Sequence, residues 1–185
     1  DPHSDPMYRG NPLLVDSELT NGELRYEWYY APQQQVSAAA FYKGIKNPIE
    51  AYVAGDFTTS FANAPKADLY GIELEASKHF DFADWGMDKG LFAGRRLAVQ
   101  ANYTFSQSEL KVSANDPIAV FASSSTRADD FFRDGASLTG QSDHVANLEL
   151  GIENPERLSQ QTLMVNFASK RVTSRGVANS GQPDI

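Results

Sequence analysis

The chain contains no cysteine. That excludes a disulfide framework, a thiolate zinc site and a thiol nucleophile. It has no apolar run near the roughly 20 residues that a membrane helix needs. The strands of a membrane barrel alternate and score low on hydropathy, so only helical spans are excluded. A mean hydropathy of -0.44 fits a soluble protein or a barrel with a wet interior and large loops. Positive charge is also scarce: 16 Lys and Arg face 24 Asp and Glu, for a net charge of -8 and a pI near 4.8. Nucleic acid is a poor partner for such a surface, because phosphate binding needs a basic face. The three histidines, His3, His79 and His144, fall in separate segments, whereas a metal centre wants ligands at short spacing. No cofactor is therefore expected. The 185 residues suffice for one domain with a core. Asp1 in place of an initiator methionine, no signal peptide, and a loop-like end at Gly181–Ile185 suggest a piece of a longer protein.

What the chain does have is alternation. From Asn63 a loop runs into a strand with Tyr70, Ile72, Leu74 and Ala76 on one face and Gly71, Glu73, Glu75 and Ser77 on the other. Five further strands are expected. Residues 18–31 set Leu24, Tyr26, Trp28 and Tyr30 against Arg25, Glu27 and Tyr29. Residues 35–46 alternate more weakly, with Val36, Ala38, Ala40 and Tyr42 opposite Ser37, Ala39, Phe41 and Lys43. The cleanest pattern is 96–111, where Leu97, Val99, Ala101, Tyr103 and Phe105 oppose Ala98, Gln100, Asn102, Thr104 and Ser106. Residues 143–154 set Ala146, Leu148, Leu150 and Ile152 against Asn147, Glu149, Gly151 and Glu153. Residues 161–174 set Leu163, Val165 and Phe167 against Met164, Asn166, Ala168 and Lys170.

These strands run to about 10–14 residues, against about 5–6 in soluble sheets and about 9–11 for a tilted membrane strand. Connections alternate in length. Tight turns stand at Pro32-Gln33-Gln34 and Asn154-Pro155-Glu156-Arg157, a middling connection at 81–95, and long loops at 47–67 and 112–142. Short turns on one side and long loops on the other are characteristic of an outer-membrane barrel. Long structureless loops are unusual in a compact soluble domain. Trp28, Tyr29, Tyr30, Phe80 and Phe82 gather at the short-turn end, where aromatic rings favour a membrane–water interface. The expected fold is all-β: antiparallel up-and-down strands in one wall of a transmembrane barrel. Tyr70, Ile72, Leu74, Leu97, Val99, Tyr103, Leu148 and Leu150 would face lipid. The rival is a soluble antiparallel β-sandwich acting as a binding module, with the same faces buried against a second sheet.

No catalytic grouping emerges, so the chain is not read as an enzyme. Asp143-His144 lies at a strand start and reads as a wet loop end. Asp81, Asp84 and Asp88 lack the glycine and closing glutamate of a calcium loop. Asn102-Tyr103-Thr104 matches a glycosylation sequon but lies inside a strand. Glu73 and Glu75 share a wet face rather than forming an acid–base pair. A ligand would meet loops. Within Arg127–Asp134, the residues Arg127, Phe131, Phe132 and Arg133 could stack on or pair with a small nutrient. The same residues would equally suit a loop packed on itself with internal ion pairs.

Several segments resemble the C-terminal part of the barrel of TonB-dependent outer-membrane receptors. Gly10-Asn11-Pro12-Leu13 resembles the family's lead-in, although Leu14-Val15-Asp16 stands where Lys-Pro-Glu often follows. Tyr26-Glu27-Trp28-Tyr29-Tyr30, Ala40-Phe41-Tyr42-Lys43-Gly44-Ile45, Ala101–Ser106 and Gly140–Gly151 resemble its successive strands. Asn63–Glu75 is similar to its most specific segment, with Tyr70-Gly71-Ile72-Glu73-Leu74-Glu75 at the centre. The resemblance implies a barrel of about 22 strands plugged by an N-terminal domain. It also implies an outer-membrane location and uptake of a siderophore, haem, cobalamin or oligosaccharide. Energy would come from the TonB complex, contacted through an N-terminal region that this chain lacks.

Overall fold

The computed structural model describes residues 7–54, 58–157, 159–180 and 183–185. The described residues form ten strands: β1 (Tyr8–Arg9), β2 (Glu18–Ala31), β3 (Gln34–Lys46), β4 (Ile49–Val53), β5 (Thr59–Asn63), β6 (Lys66–Asp81), β7 (Arg96–Lys111), β8 (His144–Asn154), β9 (Ser159–Ala168) and β10 (Arg175–Gly176). Six form one antiparallel sheet in the order β2-β3-β6-β7-β8-β9, each strand beside its predecessor in that list. The other four form a small sheet, β1-β5-β4-β10, at one end of the large one.

The long strands match the six expected, with one correction. The last was expected over 161–174 but spans Ser159–Ala168. Its partner, β8, begins at His144, and the ladder closes with Ser169 N–H donating to the His144 carbonyl at 2.8 Å. Beyond that point β8 offers no further residue for β9 to pair with. The loop expected at 47–67 also carries structure: β4 and β5 form an antiparallel hairpin within it. Nor is every pairing antiparallel. The two-residue strands β1 and β10 flank that hairpin in parallel, because lead-in and tail reach it from outside the meander.

Directly paired residues share a face, so the register defines both surfaces. One row crosses the sheet as Tyr26, Ala38, Leu74, Tyr103, Ala146 and Phe167. Its neighbour on the opposite face reads Glu27, Ser37, Glu75, Asn102, Asn147 and Asn166. The apolar face is uncovered. Even on the central strand β6, Tyr70, Ile72 and Leu74 are 41%, 44% and 45% exposed. No described element packs over them. Lys78 interrupts this face near the short-turn end, where its ammonium lies 4.9 Å from the Phe80 ring centre.

The polar face is threaded by side-chain bonds. Arg25 donates to Glu73 at 3.1 Å, and Asn147 donates to Asn102 at 2.7 Å. Gly71 has a specific role here. A Cβ at this position would stand 2.2 Å from the Phe105 carbonyl oxygen and 2.8 Å from the Phe41 ring. The ring of Phe41, directly opposite, covers the glycine and closes the gap in an otherwise hydrated surface. The hairpin at Pro32-Gln33 is equally local in origin: proline fixes the first turn position, and Gln33 takes the second at φ 60°.

Candidate functional site

The segments around 7–17, 47–65, 112–143 and 169–185 all leave the large sheet at the same end, because strands alternate in direction. There they pack into a cap with its own core. Leu110 and Phe132 are fully enclosed, and Tyr52, Ala62, Ala64, Ile118, Val120 and Phe131 surround them. Tyr52 and Phe131 meet edge to face at 5.4 Å.

Polar groups bind the cap's segments together. Asn11 donates to the carbonyls of Phe61 and Ala119, both at 3.0 Å. Asn63 donates to Val15 and Asn47 carbonyls at 2.9 and 2.8 Å. At the centre, Glu50 of β4 is 1% exposed and Arg175 of β10 is 3% exposed. Arg175 Nε donates to Glu50 Oε2 at 3.0 Å, and the Thr139 amide donates to the same carboxylate at 3.0 Å. Burial pushes the Glu50 carboxyl above its ordinary value of 4.5, while Arg175 and the Thr139 amide pull it back. One buried pair thus ties together hairpin, long loop and tail.

Beside this core lies a cavity of about 400 Å³, lined among others by Tyr52, Phe121, Phe131, Arg9, Asp130 and Asn179. Its walls are aromatic. Its polar groups are one guanidinium, one carboxylate held by Ser125 and Asn179, and nearby hydroxyls. Such a lining suits a flat, partly polar small molecule. A groove of similar volume on the apolar face, between Leu74, Ala76, Ala101 and Phe167, has almost no converging polar groups and belongs to that face. Among the described residues there is no cluster of three or more His, Asp or Glu able to hold a metal ion.

The four loop residues proposed for ligand contact are placed differently from one another. Phe131 lines the cavity. Phe132, 1% exposed, is enclosed in the cap core and lies away from it. Arg127 is exposed and held by Asp129 at 3.0 Å, and this pairing lowers the Asp129 carboxyl below its ordinary value. Arg133 is exposed. Sequence reasoning missed Arg9, Tyr52, Asp130 and Asn179, and also the Glu50–Arg175 pair. Glu50 carried one local signal: it is a lone charge within the apolar run Ile49–Val53.

Long antiparallel strands with one uncovered apolar face and one hydrated face, capped at a single end by packed connections, fit the wall of a β-barrel. Over residues 2–183 the chain matches the family model described as TonB dependent receptor-like, beta-barrel, and it belongs to that family. No curated protein and no solved structure matches it.

Proposed function

We propose that the chain forms part of the barrel of an outer-membrane receptor that takes up a scarce nutrient with energy coupled through TonB. The observation that carries this reading is the uncovered apolar band on the central strands. From Tyr70 to Phe80, with Lys78 as its one charged position on β6, it spans ten residue steps, about 34 Å along the strand. At the tilt of barrel strands this is about 25 Å along the membrane normal, the height of a lipid-facing band. On this reading Tyr70, Ile72, Leu74, Leu97, Val99, Tyr103, Leu148 and Leu150 face lipid. Arg25, Glu73, Glu75, Asn102 and Asn147 face the lumen. The cap faces the outside, and its cavity, with Phe131 as one wall, contributes to ligand contact. The plug and the contact with TonB would come from other parts of the parent protein. A siderophore, haem, cobalamin or an oligosaccharide would each suit an aromatic and polar lining.

The test is fractionation of cells making the full-length parent protein, followed by electrophoresis of the membrane fraction with and without boiling. Recovery in the outer membrane with a heat-shifted band is expected. A soluble product without a shift would discard the receptor in favour of a β-sandwich.

A further inference from the structure

Packing alone does not account for the cap cavity. Tyr52 and Phe131 meet with their ring planes at 73°, so they form a corner rather than a stack. Phe121, 52% exposed, adds a third ring from the long loop. The next residue, Ala122, holds φ at 61°, a conformation that alanine adopts under strain. Backbone strain gathers where a side chain must be presented. Here the turn presents Phe121 to the cavity.

The charge in the cavity is also unspent. Asp130 is half-buried and accepts from the Ser125 hydroxyl and the Asn179 amide. Both donors are neutral, so they orient the carboxylate without cancelling its charge. Arg127, its neighbour in the loop, is held by Asp129. Asp130 has no ion-pair partner among the described residues. Arg9 also lines the cavity, but it has contacts of its own. Its backbone stands two strands from Tyr52, in the row Arg9, Ser60, Tyr52, about 10 Å away. Asp130 instead adjoins Phe131, at the ring corner.

Carboxylate and rings select the same visitor. A half-buried charge without a partner is costly, and aromatic faces attract cations. A metal ion fits poorly, because one carboxylate among three rings offers too few oxygen ligands. A neutral sugar would use the rings and leave the charge of Asp130 uncompensated. Both carboxylate oxygens already accept hydrogen bonds, so the visitor must supply charge more than donors. A methylated ammonium group does this, and aromatic cages are its usual receptor. We propose that the cap cavity is a subsite for a quaternary ammonium group carried by the imported nutrient. At about 400 Å³ the cavity has room for that head and part of the body attached to it. The subsite rests on the receptor reading, which supplies the nutrient and its approach from outside.

The test uses the full-length receptor, purified from outer membranes in mild detergent. Calorimetric titration compares choline with neohexyl alcohol, its uncharged carbon isostere, and with maltose as a neutral sugar. Choline should bind at least about tenfold more tightly than the isostere, given the usual strength of cation–ring attraction in a desolvated site. Asp130→Asn keeps the side-chain shape and should remove most of that preference. Phe121→Ala trims an exposed ring outside the cap core and should weaken choline binding severalfold. Asp88→Asn, at the short-turn end, should change neither. Equal binding of choline and its isostere, or no binding of choline, would overturn the subsite without any variant. So would a preference undiminished in Asp130→Asn. Maltose binding more tightly than choline would overturn it in favour of a sugar site. A protein with a heat-shifted band that fails to discriminate defeats this inference alone, whereas absence of the heat shift defeats the receptor reading beneath it.

Discussion

The wall and the cap of this chain obey opposite rules. In the wall, large apolar residues such as Leu24 and Leu74 lie open, and the charged face is cross-linked by side chains. In the cap, Phe132 and Leu110 are enclosed and even a charged pair, Glu50 with Arg175, is buried. The cap follows the ordinary pattern of a protein folded in water. The wall follows the opposite pattern, which the proposed barrel explains: against hydrocarbon, exposed leucine costs nothing and the backbone of the inner strands is paired along the ladders.

The comparison is broken most severely at Glu50. Glu50→Ala strands Arg175 in the cap core and should cost about 3–5 kcal/mol of cap stability. Hydrogen exchange at the Thr139 amide should rise sharply while the heat-shifted band persists. Loss of both together would mean that cap and wall are one unit. Next in size is charge on the outer face. Leu74→Arg or Val99→Arg should each cost about 2–4 kcal/mol at mid-bilayer and block assembly of the full protein. Glu75→Arg, one residue from Leu74 but on the other face, should be tolerated. Equal tolerance of all three would remove the membrane assignment. Gly71→Ala should be milder, about 1–3 kcal/mol, because the strands must shift to admit a methyl group against the Phe105 carbonyl. Truncating its cover with Phe41→Ala should not relieve that penalty, since the backbone contact remains.

The smallest effect is a pH dependence. Folding raises the Glu50 pKa, so the folded cap holds this proton more tightly than the unfolded chain. Its contribution is fully present below the ordinary value of 4.5 and is lost as pH rises through the higher folded value. The stability advantage of wild type over Glu50→Gln, read at the Thr139 amide, should therefore narrow as pH rises through that window. A widening gap would mean that Arg175 outweighs desolvation.

Strand positions could be read from the sequence because a period of two is local: Leu97 to Phe105 announces its face without knowledge of any neighbour. The end of the last strand could not, because it is set by where β8 begins. The cap was less accessible still. Its decisive contacts join residues 50, 108 and 125 positions apart, and its segments lack a sustained period. The aromatics of Phe131-Phe132 were visible, but adjacent rings point different ways, and only the fold decides which one lines a cavity and which one fills a core.

The Glu50–Arg175 pair also spans the wall in sequence. Its partners are separated by 125 residues, with four of the long strands between them. Closing so long a loop is slow until intervening pairings have shortened it. Pairing of β6, β7, β8 and β9 shortens that loop and brings Arg175 toward Glu50. Any one of these strands slipped by one position would displace the tail along with it. The buried pair thus couples the closing of the cap to the register of the wall.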